Sequence, residues 1–145
     1  MTLHDTQKDI LRKISMAGRQ IRKLFNARAS EYGLTLARAQ ALILLREKGA
    51  MTQADLAMEL EVERPTVARL VDAMVAAGHV TRETSESDRR YRNIALTDAA
   101  NGDIRALEQL TAALREDVLA DISASDLSVV NRVFTQMLRN IEQAR

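Results

Sequence analysis

The sequence predicts a mainly α-helical protein with one small β-hairpin, and three observations support this fold class. The 145 residues are rich in alanine, leucine, arginine and glutamate, whereas aromatic residues make up 3% and proline occurs once. This composition favours helices over sheets. Apolar residues recur at helical spacing in long stretches near both ends of the chain. Between these stretches, two short β-prone runs at 80–83 and 91–96 flank a polar segment, which is typical of a hairpin.

The N-terminal part of the chain contains two predicted helices. The first covers about residues 5–30 and carries a continuous apolar stripe along one face. The Tyr-Gly pair at 32–33 breaks this pattern, and Thr35 is a suitable N-cap for a second helix. A Lys-Gly pair at 48–49 ends that helix. Both helices precede residues 50–97, the segment that gives most of the information about function.

Two shorter helices follow with a tight turn between them. The sequence TQAD, which begins at Thr52, resembles a capping box with Asp in place of Glu or Gln, and the helix continues to Leu60. Residues 61–63 form the turn, and Pro65 lies in the first turn of the next helix, where a missing N–H is tolerated. Gly78 ends this second helix. The pattern indicates a helix-turn-helix.

The hairpin comes directly after the helix-turn-helix. This order predicts a winged helix-turn-helix over residues 50–97, a shape that places one helix in the DNA major groove and a loop in the neighbouring minor groove. From about residue 97 a long helical pattern continues to 122, SASD at 123–126 interrupts it, and a last helix follows. We therefore expect a DNA-binding regulator.

The long amphipathic helices near both ends predict a homodimer. A single small winged helix cannot cover the apolar stripes of residues 10–28, 104–122 and 127–141, and exposed stripes of this size are unusual in soluble monomers. We expect residues 1–49 and 98–145 to form a helical dimerisation region about a two-fold axis. Two recognition helices related by that axis would read an inverted repeat with half-sites about 34–36 Å apart. The predicted dimerisation residues are Ile10, Ile14, Ile21, Leu127, Val130, Phe134, Met137 and Ile141.

The charge of the chain is unevenly distributed. The formal net charge is +1, and the excess of positive charge lies before Arg46. Residues 52–96 carry eight acidic side chains against six arginines, four of which lie on the hairpin. This balance weakens a purely electrostatic case for DNA binding, because phosphate neutralisation needs clustered cations.

Several function classes are excluded or disfavoured by what the sequence lacks. It has no cysteine, which excludes disulfides, thiolate metal ligands and thiol redox sensing by this chain. His4 and His79 are far apart, His79 is expected to be structural or exposed, and no known catalytic motif occurs. We predict no enzyme, no metal site and no cofactor. Without a secretory signal or a long apolar run, a soluble cytoplasmic protein is expected, with no membrane partner.

Four blocks of sequence carry a family resemblance. They are YGLT at 32–35 with Gln40 and Leu42, TQADLA at 52–57, RPTVARLVDAMVAAGHVTRE at 64–83, and SDRRYRNIALT at 87–97. Together, and in this spacing, they resemble the MarR family of bacterial transcription regulators, with a wing similar to its SlyA-like branch. The resemblance covers most of the chain.

The resemblance implies which residues contact double-stranded DNA. In such proteins the N-terminal half of the recognition helix meets base edges, which here means Arg64, Pro65, Thr66 and Arg69. Arginine offers two donors to the two major-groove acceptors of guanine, and threonine can hydrogen-bond or place its methyl group against thymine. Thr52 and Gln53, near a helix start, suit phosphate contacts.

The wing residues implied by the resemblance are Asp88, Arg89 and Arg90. The two arginines would enter the minor groove, where narrow A·T-rich segments concentrate negative potential. The Asp88 carboxylate only accepts hydrogen bonds, so we expect it to hold an arginine side chain in place. The alternative for this run is a solvated hairpin tip.

The recognition-helix arginines have structural alternatives as well. Arg64 pairs with Glu61 in one of them, and Arg69 pairs with Asp72 or Asp55 in the other. Either pairing would make the arginine an ordinary surface residue rather than a base contact.

The resemblance further implies a homodimeric repressor that binds a pseudo-palindromic operator and is released by a small ligand. Many relatives bind anionic aromatic compounds between the helical dimer region and the winged helix, and the basic first helix suits such an anion. No residue here identifies the effector or its pocket. Two alternatives remain, namely an effector-independent DNA-organising or countersilencing protein, and an interaction module whose winged helix binds protein.

Overall fold

The computed structural model describes residues 1–84 and 92–145, and of Arg92 only the backbone. Within these ranges the chain forms six α-helices and three β-strands. They belong to two compact units, residues 1–114 and 115–145, and each unit is described by itself. The mainly helical fold with a small hairpin, predicted from the sequence, is confirmed.

The first unit begins with helix α1, Leu3–Ala29. Thr2 caps it through a capping box: the Thr2 hydroxyl oxygen accepts from the Asp5 N–H at 3.1 Å, and Asp5 accepts from the Thr2 N–H at 3.1 Å. These hydrogen bonds to Thr2 hold the pKa of Asp5 below its ordinary value. Only the C-terminal end of α1 is buried, at Phe25 and Ala29, so most of this helix is exposed in the single chain.

A 3-10 turn, Ser30–Tyr32, and a left-handed Gly33 at φ 65° lead from α1 to helix α2, Leu36–Lys48. Thr35 caps α2 as predicted, because its hydroxyl oxygen accepts from the backbone N–H of Arg38. The Asn26 side chain of α1 accepts from the Leu36 N–H at 3.0 Å, which satisfies a second free donor at this helix end. This cap also joins α2 to α1.

The helix-turn-helix consists of α3, Gln53–Leu60, and α4, Arg64–Ala76. After α4, a left-handed Gly78 at φ 80° turns the chain into strand β2. The hairpin comprises this strand, Val80–Thr84, and strand β3, Arg92–Leu96. One strand was not predicted, because Met51–Thr52 forms a two-residue β1 that pairs antiparallel with β3. The sheet order is therefore β1-β3-β2.

The core of the first unit lies among α2, α3, α4, the sheet and the start of helix α5, Ala100–Val118. Its largest fully buried side chains include residues from every one of these elements, namely Leu42, Leu56, Val67, Val71, Met74, Val80, Ile94, Ile104 and Leu107. The helix-turn-helix is thus held by apolar packing on one side, which leaves its other side free for contacts.

Helix α6, Ala124–Gln143, makes up most of the second unit. Ser123 caps it by accepting from the backbone N–H of Asp126 at 3.1 Å, which agrees with the SASD signal in the sequence. No residue of α6 is buried in the single chain. In the described ranges, no helix has the length and apolar character required to cross a bilayer.

Candidate nucleic-acid interface

Thr52 closes β1 and also caps α3. Its hydroxyl oxygen accepts a hydrogen bond from the Asp55 N–H at 3.1 Å, and its backbone pairs with Asn93 of β3. This pairing fixes the N-terminus of α3 against the sheet. Thr52 and Gln53 are half-exposed at this end, where free backbone N–H groups and the helix dipole favour an anion. The arrangement suits a phosphate, and the phosphate role of these two residues stays a prediction.

The turn between α3 and α4 is built on a left-handed residue, Glu61, with φ 54° and ψ 42°. The N–H groups of Glu61 and Val62 donate to the carbonyls of Met58 and Ala57, at 3.2 and 3.1 Å, so the end of α3 is capped by its own backbone. Glu63 is the N-cap of α4 and makes no side-chain capping hydrogen bond. Helix α4 therefore starts immediately after a closed turn.

Helix α4 has one buried face and one exposed face. Val67, Val71 and Met74 are fully buried and anchor the helix to the core. The predicted base-contacting residues are all exposed: Arg64, Pro65, Thr66 and Arg69. Pro65 and Arg69 lie opposite the buried face, and Arg64 is exposed at the first position of the helix. A helix anchored on one side in this way can present side chains to a groove with a defined geometry.

The structural alternatives for the two arginines find no support in the described residues. There, neither Arg64 nor Arg69 forms an ion pair or a side-chain hydrogen bond. Asp72, one of the two partners considered for Arg69, instead accepts a hydrogen bond on Oδ1 from Nη2 of Arg82. This pair joins α4 to β2 and was not predicted. Ten residues separate its members, on two different elements, so no local spacing pattern signals it.

The wing strands have a defined register up to the limits of the described segment. Val80 lies opposite Leu96 and Thr84 lies opposite Arg92. The predicted wing residues Asp88, Arg89 and Arg90, together with Tyr91, lie outside the described residues. Their assignment continues to depend on the sequence resemblance alone.

His79 lies at the corner between α4 and β2 and is 8% exposed. Its Nε2 is 2.7 Å from Oδ2 of Asp103 on α5, whereas its Nδ1 is buried and has no hydrogen-bond partner in the described part of the chain. Its carbonyl accepts from the Thr97 N–H at 3.0 Å. His79 therefore joins the helix-turn-helix, the end of β3 and α5, in agreement with the structural role expected for it. The sequence gives no sign of its partner Asp103.

The described residues contain no group of three or more histidine, aspartate or glutamate side chains that could hold an ion.

The predicted dimerisation residues are accessible in the single chain. In α1, Ile10 and Ile21 are 41% and 38% exposed. In α6, Val130, Phe134 and Ile141 are 44%, 43% and 54% exposed. Ile14, Leu127 and Met137 are half-buried. Each helix thus leaves a row of large apolar side chains in water unless another surface covers it.

Two comparisons with known proteins decide the family. Residues 32–90 match a sequence model of the MarR family. The transcriptional regulator PA3341, which has a crystal structure, is 34% identical, and the match covers 92% of this chain and 98% of that chain with a TM-score of 0.83. The chain belongs to the MarR family. The resemblance inferred from the four sequence blocks is therefore confirmed, and this MarR-family protein is a transcriptional regulator.

Two further relatives extend the comparison. The uncharacterized HTH-type transcriptional regulator YwoH of Bacillus subtilis (strain 168) is 28% identical over 132 residues, 91% of this chain and 96% of that protein. A mutant MarR from E. coli, complexed with operator DNA, is 22% identical. The match covers 95% of this chain and 99% of that chain, with a TM-score of 0.84. At this identity the likeness to MarR shows a shared fold.

Proposed function

We propose that this MarR-family regulator binds a pseudo-palindromic operator as a homodimer and represses transcription until a small ligand weakens the complex. The observation that carries the proposal is the outward face of α4. It presents Arg69, and the first position of the same helix presents Arg64, both with no partner among the described residues, on a helix anchored by its buried face. Two guanidinium groups without a described partner, in the N-terminal half of such a helix, suit guanine edges in the major groove.

The fold supports the same conclusion. The E. coli relative complexed with operator DNA shares this fold over almost the whole chain. In this chain, Thr52 and Gln53 lie at the start of α3, in a position suited to phosphates. The hairpin that carries Asp88, Arg89 and Arg90 begins directly after α4 and would reach the adjacent minor groove.

The dimer part of the proposal is supported by the exposed apolar side chains of α1 and α6. A soluble protein that leaves Phe134 and Ile141 on one helix about half exposed gains by burying them. A second copy of the same chain offers the same apolar surface, and two-fold symmetry then pairs two recognition helices with two half-sites.

The ligand part is supported by a groove of about 460 Å³ in the first unit. It lies beside α1, the start of α2 and the turn after α3, and its lining includes Arg22, Asn26, Gln40, Glu61 and Val62. Arg22 and the two amides suit an anion with polar substituents. Because Glu61 and Val62 belong to the turn that positions α4, a ligand there would favour one position of the recognition helix over another.

The test is a footprint of purified protein on its own upstream DNA, with excess random duplex and varied salt concentration. Protection of a short inverted repeat supports the proposal, and transcription from the same template with and without protein checks repression. Binding without a preferred site, with a steep salt dependence, would favour an effector-independent DNA-organising protein. Absence of binding to any duplex would favour a protein-interaction module, in line with the acidic excess of residues 52–96.

The ligand is then tested on the same operator complex. Benzoate-type anions are the probe, because they combine the charge and the aromatic ring that the family resemblance implies. Dissociation at a concentration that leaves the protein folded supports ligand release, whereas an unchanged complex across the panel contradicts the anionic aromatic class.

A further inference from the structure

Asp72 lies on α4 three residues after Arg69, and both side chains are exposed. Residues with this spacing are neighbours on a helix surface, so an aspartate and an arginine there attract each other. Nevertheless, the Asp72 carboxylate pairs with Arg82 of β2, and Arg69 has no partner among the described residues. Asp72 thus has two neighbouring arginines, Arg69 and Arg82. It pairs with Arg82, which is not one of the proposed base-contacting residues.

The position of Arg82 explains this preference. It lies in the middle of β2, opposite the buried Ile94, and on the same side of the strand as the buried Val80. Helix α4 packs against this strand. The side chain of Arg82 is 29% exposed, compared with 67% for Asp72. Because its stem is already packed, Arg82 loses less conformational entropy on pairing than an exposed arginine such as Arg69 would.

We propose that Arg82 is a positioning residue that holds the Asp72 carboxylate and so leaves the Arg69 guanidinium free for a base edge. The inference rests on the proposed function, since it requires α4 to read the major groove. An arginine that is already paired must lose its partner before it binds guanine, and this cost lowers affinity. Arg82 also neutralises a carboxylate that would otherwise repel the phosphates beside the groove.

The test compares four proteins on the duplex that the wild type protects: wild type, Arg82→Ala, Asp72→Ala and the double variant. Arg82→Ala releases Asp72 toward Arg69 and the phosphates, and we expect operator binding to weaken about fivefold. Asp72→Ala removes the competitor itself. We therefore expect this variant and the double variant to bind within about twofold of wild type, by fluorescence anisotropy at fixed salt concentration.

Recovery in the double variant is the deciding readout. If the Arg82–Asp72 pair only held α4 against β2, all three variants would break it. They would then lose operator affinity equally, and the double variant would not recover it. A direct phosphate contact by Arg82 also predicts no recovery. A double variant as weak as Arg82→Ala, or four proteins with equal affinity, would overturn the inference. In an Arg69→Ala background, Arg82→Ala should cost much less affinity than it does alone, and an undiminished loss would overturn it too.

A matched control uses the Lys48–Glu59 ion pair, 2.7 Å long, which also joins two elements of the first unit. Lys48→Ala leaves the Glu59 carboxylate unpaired in the same way, and operator affinity should stay within about twofold of wild type. Thermal unfolding of every variant checks that the fold is retained. If the wild type binds no duplex, the proposed function is overturned together with this inference. Wild-type binding without recovery in the double variant overturns the inference alone.

Discussion

Arg69 combines three properties that we expect of an arginine that contacts bases. It is exposed, it lies on the face of α4 opposite the buried Val67, Val71 and Met74, and it has no partner within the described residues. A free guanidinium keeps both donors that guanine O6 and N7 require. Arg64, at the first position of α4, shares the exposure but lies nearer the turn.

Replacement of Arg69 by alanine should change the base preference of the protein rather than lower affinity for all sequences alike. Loss of a bidentate contact should cost about 1–3 kcal/mol on the preferred operator and much less on a duplex substituted at the contacted base. Binding-site selection from a random pool, with wild type in parallel, measures this difference. Arg105→Ala is the control, because Arg105 is an equally exposed arginine on α5. A uniform loss over all sequences would instead identify Arg69 as a phosphate contact.

A second prediction concerns Arg90 of the wing. If the wing enters the minor groove, Arg90→Ala should abolish tight operator binding, because narrow A·T-rich grooves attract arginine strongly. The dimer should remain intact, since Arg90 is outside the proposed dimerisation region. Operator titration and sedimentation of the same sample measure both properties, and unchanged DNA affinity would contradict the wing assignment.

At the residue level, the sequence predicts side chains whose role depends on helical periodicity, and it misses pairs that join separate elements. The exposure of Arg69 follows from the spacing of the buried valines on α4. Arg64 has the helical spacing of Val67 and is exposed because it is the first residue of the helix. The partners of Asp72 and His79 do not follow from any spacing. Asp72 reaches Arg82 on β2, and His79 reaches Asp103 on α5, so both pairs exist only after the elements have packed.

The turn between α3 and α4 positions the proposed recognition helix, and it contains a strained residue. Glu61 adopts the left-handed conformation, which costs a residue with a Cβ atom about 1–2 kcal/mol. Glycine populates this region freely and is the usual residue at such a helix end. The sequence therefore keeps a glutamate where glycine would fit the backbone better.

Glu61→Gly should stabilise the protein by about 0.5 kcal/mol, because relief of the left-handed strain exceeds the extra entropy of glycine in the unfolded chain. Urea unfolding measures this change. Ala54→Gly provides a control of opposite sign, since Ala54 is an exposed residue in the first turn of α3. It should destabilise the protein by about 0.5 kcal/mol. Destabilisation by Glu61→Gly would show that the Glu61 side chain makes a stabilising contribution larger than the backbone strain.

Most helices are predictable from the sequence because each carries its own local signals. Thr35, Thr52 and Ser123 all act as N-caps, as their sequence patterns indicate. Strand β1 is not predictable in this way. Two residues are too few to show an alternating pattern, and Met51 is in a strand only because Ile94 is placed beside it by the rest of the fold.

At the scale of the whole molecule, α1 and α6 each expose a row of large apolar side chains, which another surface is expected to cover. Both helices have ordered, well-capped starts, so their exposure is not caused by poor helix formation. A homodimer would cover these apolar side chains, and it would also have the two-fold symmetry of the proposed operator. The assignment of residues 1–49 and 98–145 to dimerisation remains a prediction.

Phe134→Glu should convert the protein to a monomer at micromolar concentration, because a charge would be buried against an apolar surface. Operator affinity should fall by at least about a hundredfold, since only one half-site is then bound at a time. Sedimentation velocity and operator titration measure the two effects. Ser128→Glu adds the same charge to the polar face of the same helix and should leave the dimer intact. A dimeric Phe134→Glu protein would contradict the proposed interface.

The short strand β1 also affects how the protein forms during synthesis. Met51 pairs with Ile94, and this contact closes a chain segment of about forty residues, which is costly in entropy until that segment is compact. On the ribosome, β1, α3, α4 and β2 emerge before β3, so the sheet is complete only when Leu96 has emerged. Until then, Thr52 lacks its strand partner and the N-terminus of α3 is held only by its own cap. The N-terminus of α3, for which we propose phosphate contacts, is thus among the last parts of the first unit to become rigid.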